Sequence, residues 1–147
     1  MTTRRNLLAT LSLTLLPTPA RPDDAPTDDT LAAAIRSAIG DIEPIDGNLD
    51  LRLPAIAENG AQVPLSVLVD SPMTPEDHIT TIHIFATANP TPGIASFHLT
   101  PSLARAEIQT RIRVAEAQSI IVLARHSTGQ IHRATARVAV TRGGCLS

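Results

Sequence analysis

From residue 49 onward, apolar side chains recur at every second position, and this alternation constrains the fold more than any other feature. Such a pattern is typical of a strand that buries one face of a sheet. The clearest example is Glu107–Val114, in which charged or polar residues separate the apolar ones. Alternating or continuously apolar runs predict seven strands: Leu49–Leu53, Val63–Val69, Thr81–Ile84, Ala95–Leu99, Glu107–Val114, Ser119–Ala124 and Ala134–Val140.

Short segments rich in Gly, Pro, Asn, Asp and Ser separate these runs and predict turns. They are Glu58-Asn59-Gly60, Asp70-Ser71-Pro72, Asn89-Pro90-Thr91-Pro92-Gly93, Thr100-Pro101-Ser102 and Ser127-Thr128-Gly129. About seven short strands within roughly 100 residues predict an all-β domain, an immunoglobulin-like antiparallel sandwich. A closed barrel is the second interpretation of the same pattern.

A short helix, Thr30–Ile39, is predicted before the strands. Side-chain oxygens of Asp28, Asp29 and Thr30 are available for its N-cap, and Gly40 is a suitable C-terminal stop. Its larger apolar residues recur every four positions and share one face: Leu31, Ile35 and Ile39. Because so short a helix is marginal alone, we expect this face to dock on the sandwich.

The first residues, Met1–Ala20, have the organisation of an export signal. Arg4 and Arg5 precede an apolar run of about ten residues, too short to span a bilayer. The paired arginines resemble a twin-arginine signal, and an ordinary secretory signal is the alternative. Either signal predicts a periplasmic protein. The predicted organisation is a signal at 1–20, a leader and helix at 21–48, a sandwich at 49–140 and a flexible C-terminal arm at 141–147.

Composition excludes several classes of function. The 147 residues include one Cys, two Phe, no Tyr and no Trp, and their net charge is −2. One Cys cannot form a disulfide framework or supply several thiolates to zinc. A slightly acidic chain with so few aromatic rings is a poor candidate for nucleic-acid binding.

No catalytic or metal-binding motif is visible, and no cofactor is predicted. The five histidines lack the spacing of a metal site: His78, His83, His98, His126 and His132. His126 and His132 flank a predicted hairpin turn. Surface positions on the strands are favoured for both; the alternative is that the two side chains approach each other across the hairpin. Asp28-Asp29 is interpreted as a helix cap and Asp70-Ser71-Pro72 as a turn with local capping rather than a nucleophile.

The sole cysteine, Cys145, is the third residue from the C-terminus and follows Gly143 and Gly144. Chain ends are poorly ordered unless they are tied down, and the glycines add backbone freedom. The pattern therefore predicts a tether with a thiol near its tip. No His or second Cys is adjacent to activate the sulfur, so a carrier is a better interpretation than a catalyst.

Several segments, in this order and spacing, resemble the SoxY family, from about Ala33 to Cys145. They are Leu53-Pro54-Ala55-Ile56-Ala57-Glu58-Asn59-Gly60, Val63-Pro64, Val69-Asp70-Ser71-Pro72-Met73, Ile82-His83-Ile84-Phe85-Ala86, Asn89-Pro90, Ala95-Ser96-Phe97-His98, Thr110-Arg111-Ile112-Arg113-Val114-Ala115 and Gly143-Gly144-Cys145. Members of this family are sulfur carriers of periplasmic thiosulfate oxidation.

The resemblance implies an immunoglobulin-like sandwich with a swinging arm, on which Cys145 carries covalent sulfur adducts and Gly143 and Gly144 give reach. It implies a heterodimer with a SoxZ-like subunit. It also implies transient contacts with the cytochrome complex SoxXA, the hydrolase SoxB and, where present, the dehydrogenase SoxCD.

The C-terminus departs from the family pattern, in which Gly-Gly follows the cysteine; here Leu146-Ser147 follows. The sequence therefore leaves two alternatives to a carrier open: a diverged family paralogue, or a periplasmic sandwich adaptor with an incidental Cys145. A thiol reductase is disfavoured because no second Cys is present to resolve a mixed disulfide.

Overall fold

The computed structural model describes residues 28–141. One helix, α1, covers Asp28–Ile39 and precedes all the strands. Nine strands follow in this part of the chain: β1 Ile45–Asp46, β2 Leu49–Arg52, β3 Ile56–Ala57, β4 Val63–Val69, β5 Ile79–Ala86, β6 Gly93–His98, β7 Ala106–Ile112, β8 Gln118–His126 and β9 Ile131–Val140.

The strands form two open sheets, which confirms the predicted sandwich over the barrel. The larger sheet has the order β1-β9-β8-β5-β6, with β3 also paired to β9. The smaller sheet has the order β2-β4-β7. All the pairs between longer strands are antiparallel, as the immunoglobulin-like prediction requires.

Two very short strands, β1 and β3, were not predicted, and each pairs with β9 in parallel. Ile45 and Asp46 of β1 lie opposite His132 and Arg133, near the start of β9. Ile56 of β3 lies opposite Ala139, near its end. The chain between them joins the smaller sheet as β2, so this N-terminal segment connects both sheets.

The core between the sheets is aliphatic, as the near absence of aromatic residues requires. Every second residue of β4 is buried in it, which confirms the predicted alternation. The continuous apolar run of β8 has a different cause, since both of its faces are covered. Ile120 and Val122 face the core between the sheets, whereas Ile121 and Leu123 belong to a second cluster with α1.

Helix α1 packs on the outer face of the larger sheet, as its apolar face predicts. Ile39 is buried with Phe85, Leu123 and Ile131, and Leu31 and Ile35 pack against the same cluster. The helix starts two residues before its predicted start, so the Asp28 and Asp29 carboxylates lie in its first turn, where they complement the helix dipole. Gly40 ends it with φ 73°, its N–H bonded to the Arg36 carbonyl at 2.8 Å.

The signal predicted at 1–20, the rest of the leader to residue 27 and the arm beyond Thr141 lie outside the described residues. Within residues 28–141 no helix has the length and apolar character needed to cross a bilayer.

Candidate functional site

The three residues predicted to carry the function, Gly143, Gly144 and Cys145, lie outside the described residues. The structure describes the chain up to Thr141, which directly follows β9. The describable part of the candidate site is therefore the place where β9 ends. We call it the β9 root and define it as Ala55–Ala57, Gly60, Val114 and Ala139–Thr141.

Strand β3 holds the end of β9 along one edge. The Ala139 N–H donates to the Ala55 carbonyl at 2.8 Å, and the Thr141 N–H donates to the Ala57 carbonyl at 3.0 Å. The Thr141 hydroxyl also lies 3.4 Å from the Ala57 carbonyl oxygen. These bonds hold the β9 backbone in place as far as Thr141, one residue beyond the end of the strand.

Gly60 closes the β9 root on the side of the loop after β7. A Cβ built on Gly60 would lie 2.4 Å from the Val114 carbonyl oxygen and 3.0 Å from Cγ1 of Val140. The Val114 N–H donates to the Gly60 carbonyl at 2.7 Å. The close approach of two backbones therefore requires glycine here. The Asn59 side chain forms the predicted turn by accepting from the Ala61 N–H at 2.9 Å.

A polar network involving Asn89 and Gln118 joins the loops at the same end of the sandwich. The buried Gln118 amide accepts from the Ala88 N–H at 2.7 Å and donates to Oδ1 of Asn89 at 2.8 Å. Asn89 also accepts from the Ala115 N–H at 3.0 Å and donates to the Arg113 carbonyl at 2.9 Å. Gln118 pairs with Val138 of β9, so this network lies beside the β9 root.

The prediction that His126 and His132 are surface strand residues is wrong, because the side chains turn into the end of the sandwich. They are 8% and 7% exposed, and their ring centroids are 4.8 Å apart. His126 Nδ1 lies 3.4 Å from an Asp77 carboxylate oxygen, whereas His126 Nε2 and His132 Nδ1 have no hydrogen-bond partner. Burial, followed by the nearby His126, lowers the pKa of His132.

The rings of the other histidines have different partners. His78 Nδ1 is 3.0 Å from the Thr74 carbonyl oxygen, whereas His83 and His98 bond to hydroxyls on the outer face of the larger sheet. Among residues 28–141 no three His, Cys, Asp or Glu side chains are grouped to hold a metal ion. Asp70-Ser71-Pro72 lies in the connection from β4 to β5. The predicted local capping is present there, since the Ser71 hydroxyl accepts from the Met73 N–H at 3.2 Å.

A family model described as sulfur oxidation protein SoxY matches residues 35–145, which include the β9 root and end at the sole cysteine. The chain belongs to the SoxY family. The sulfur carrier protein SoxY from Chlorobium limicola f thiosulfatophilum is 32% identical in sequence, with a TM-score of 0.65. That match covers 78% of this chain and 99% of the other. A comparison with curated proteins returns no match.

Two superoxide reductases share the fold with this SoxY family member at low identity. The neelaredoxin from Ignicoccus hospitalis has a TM-score of 0.58 at 11% identity, covering 65% of this chain and 81% of the other. The enzyme from Nanoarchaeum equitans has a TM-score of 0.54 at 9% identity, covering 66% and 99%. At this identity the likeness concerns the fold alone.

Part of the SoxY resemblance noted in the sequence has a structural explanation at the β9 root. Gly60 is required by its contact with Val114, and Asn89 binds the loop that carries Val114. Sequence reasoning missed Gln118 and Thr141. Gln118 stands between Ala117 and Ser119, before the apolar run of β8, so no local signal marked it. The bond of Thr141 to Ala57 joins residues far apart in sequence.

Proposed function

We propose that the chain is a sulfur carrier of thiosulfate oxidation that holds intermediates covalently on the thiol of Cys145. Gly143 and Gly144 give the arm its reach, and the β9 root is its fixed origin. The protein is not itself an enzyme. It presents its cargo to partner enzymes, which supply the catalytic groups.

The observation that carries this proposal is the family match that extends to Cys145, the sole cysteine of the chain. A relative at 32% identity is named a sulfur carrier protein. The hydrogen bonds that Ala139 and Thr141 donate to the Ala55 and Ala57 carbonyls support the same role, because a tethered group searches a defined volume only if its origin is fixed.

Loading joins the Cys145 sulfur to the outer sulfur of thiosulfate. The S–H bond breaks, an S–S bond forms, and one proton and two electrons leave; a c-type cytochrome partner, SoxXA, accepts the electrons. Hydrolysis by SoxB then breaks the bond to the terminal sulfone with one water. It yields sulfate, two protons and a persulfide anion on Cys145. Oxidation of that remaining sulfur is assigned to SoxCD where it is present.

The proposed location is the periplasm, reached through the twin-arginine signal at 1–20. The proposed stable partner is a SoxZ-like subunit, and the contacts with SoxXA, SoxB and SoxCD are transient. Leu146 adds bulk directly after the thiol, where the family pattern has glycine. Partner enzymes that accept this arm therefore need space for a leucine side chain.

Intact-mass spectrometry of protein purified from cells grown on thiosulfate tests the proposal. We expect sulfur or thiosulfonate adducts that reductant removes and that Cys145→Ser abolishes. Ser147→Ala is the matched control, because it alters the same tail and retains the thiol. An unmodified thiol under all growth conditions would favour the adaptor alternative and contradict the carrier.

A further inference from the structure

Three basic side chains and two hydroxyls lie together on the outer face of the larger sheet. Thr81 of β5 is opposite Arg125 of β8 on one side and His98 of β6 on the other. His83, two residues along β5 on the same face, is opposite Ser96. We call these five residues the Arg125 cluster. They belong to three adjacent strands and are far in sequence from Cys145.

The hydroxyls of the Arg125 cluster orient its imidazoles. His83 Nδ1 lies 2.7 Å from the Ser96 hydroxyl, and His98 Nδ1 lies 3.4 Å from the Thr81 hydroxyl. Each of these contacts uses Nδ1 and leaves Nε2 of the ring available to a ligand. His83 and Ser96 also line a groove of about 530 Å³ between α1 and the β5–β6 edge.

No carboxylate neutralises this cluster among the described residues. Arg125 forms no ion pair there; its Nη2 donates to the Ala38 carbonyl at the end of α1 over 3.4 Å. A guanidinium has five N–H donors, so most remain for a ligand. The charged side chain on the nearby half of α1 is Arg36, which is exposed and lies 3.5 Å from Asp41.

The direction in which the pKa of His83 is shifted agrees with a local positive charge that no carboxylate neutralises. Burial lowers the pKa of His83, and the nearby Arg125 and His98 lower it further. The surroundings therefore disfavour another positive charge, and an anion held between these groups would relieve that effect.

We propose that the Arg125 cluster binds a small tetrahedral oxoanion, of the sulfate, thiosulfate or phosphate class, on its solvent-facing side. Neighbouring strands are about 4.8 Å apart, so Arg125 and His98 begin about 10 Å apart at their Cα atoms. Thr81 between them is buried, whereas His98 is exposed and His83 and Ser96 line the groove, so the ion would lie on the open side of these side chains. The guanidinium supplies charge-assisted hydrogen bonds, and the imidazole N–H groups supply the remaining donors.

Titration of the ¹⁵N-labelled full chain with sodium sulfate tests the site, with sodium chloride at equal ionic strength as the reference. We expect saturable shifts of the His83 and His98 imidazole resonances and a rise in the pKa of His83, whose pKa is lowered in the absence of the anion. Phosphate and thiosulfate titrations establish which oxoanion binds most tightly.

Arg125→Gln should weaken sulfate binding about tenfold, since it removes the one permanent charge of the site. The matched control is Arg111→Gln on the other sheet, where the guanidinium donates to Gln62 at 2.9 Å; it should leave binding unchanged. If Arg125→Gln does not fold, the same titration is made with His98→Asn, a substitution at an exposed position. We expect this variant to bind sulfate severalfold more weakly. Equal shifts with chloride, or an affinity unaltered in the folded variant, would overturn the proposal.

Discussion

Substituting Gly60 by alanine should destabilise the end of the sandwich where β9 finishes. The added methyl group would lie 2.4 Å from the Val114 carbonyl oxygen, a backbone atom that cannot move by simple rotation of a side chain. The same two residues share the 2.7 Å bond from the Val114 N–H to the Gly60 carbonyl. Relieving the overlap therefore lengthens or breaks that bond. It also displaces Val140, whose Cγ1 is 3.0 Å away.

The magnitude follows from three effects. Overpacking of a well-packed site costs about 1–3 kcal/mol, and the weakened hydrogen bond costs about 1 kcal/mol. Alanine also restricts the unfolded chain, which offsets roughly 0.4–1 kcal/mol. We therefore expect Gly60→Ala to lower the free energy of unfolding by about 2 kcal/mol. In a urea titration this shifts the midpoint by about 1 M, without a change in slope.

Gly93→Ala is the matched control, because a Cβ at Gly93 would meet only Phe85 Cε1 at 3.9 Å, an ordinary contact. Its free energy of unfolding should equal the parent value or exceed it by up to about 1 kcal/mol, because alanine restricts the unfolded chain here as well. The steric explanation would be refuted if both variants lost the same stability, or if Gly60→Ala lost none.

Two further predictions concern buried polar groups. Gln118→Ala should cost about 3 kcal/mol in urea unfolding, because it leaves a cavity and removes the acceptor of the Ala88 N–H; a loss below about 1 kcal/mol would contradict the importance of the network. For the His126–His132 pair, the lowered pKa of His132 means that the unfolded chain takes up its proton first as the pH falls. Stability should therefore decrease below about pH 6.5, and His132→Phe should make that decrease shallower in unfolding titrations from pH 8 to pH 5. An identical pH profile in the variant would count against this assignment.

The long strands were predictable because each presents one buried face, or two, over four or more residues. Strands β1 and β3 were not, since two residues cannot display a period. Their pairing with β9 depends on the crossing of the N-terminal segment between sheets, a long-range property that local pattern does not encode.

The candidate site was only partly predictable, because some of its contacts are local in sequence and others are long-range. The Glu58-Asn59-Gly60 turn is a local signal, whereas the contact of Gly60 with Val114 is a tertiary one. His126 and His132 flank the predicted hairpin, but their inward direction follows from register. His132 lies opposite Ala124, a residue of the core between the sheets. A period-two strand has two faces, and sequence alone does not determine which one a terminal residue occupies.

The anchoring of Thr141 to Ala57 fixes the point from which any distance to the cysteine is measured. Cys145 is the fourth residue after Thr141, and four fully extended residues span at most about 14 Å. If the protein is a carrier, a catalytic centre of a partner can lie no deeper than this below the partner's surface unless β9 itself enters. Because β3 is paired with the end of β9, the entrance must then be wide enough for β3 as well. Ile56, 62% exposed at this edge, would then be among the first side chains to touch the wall of such an entrance.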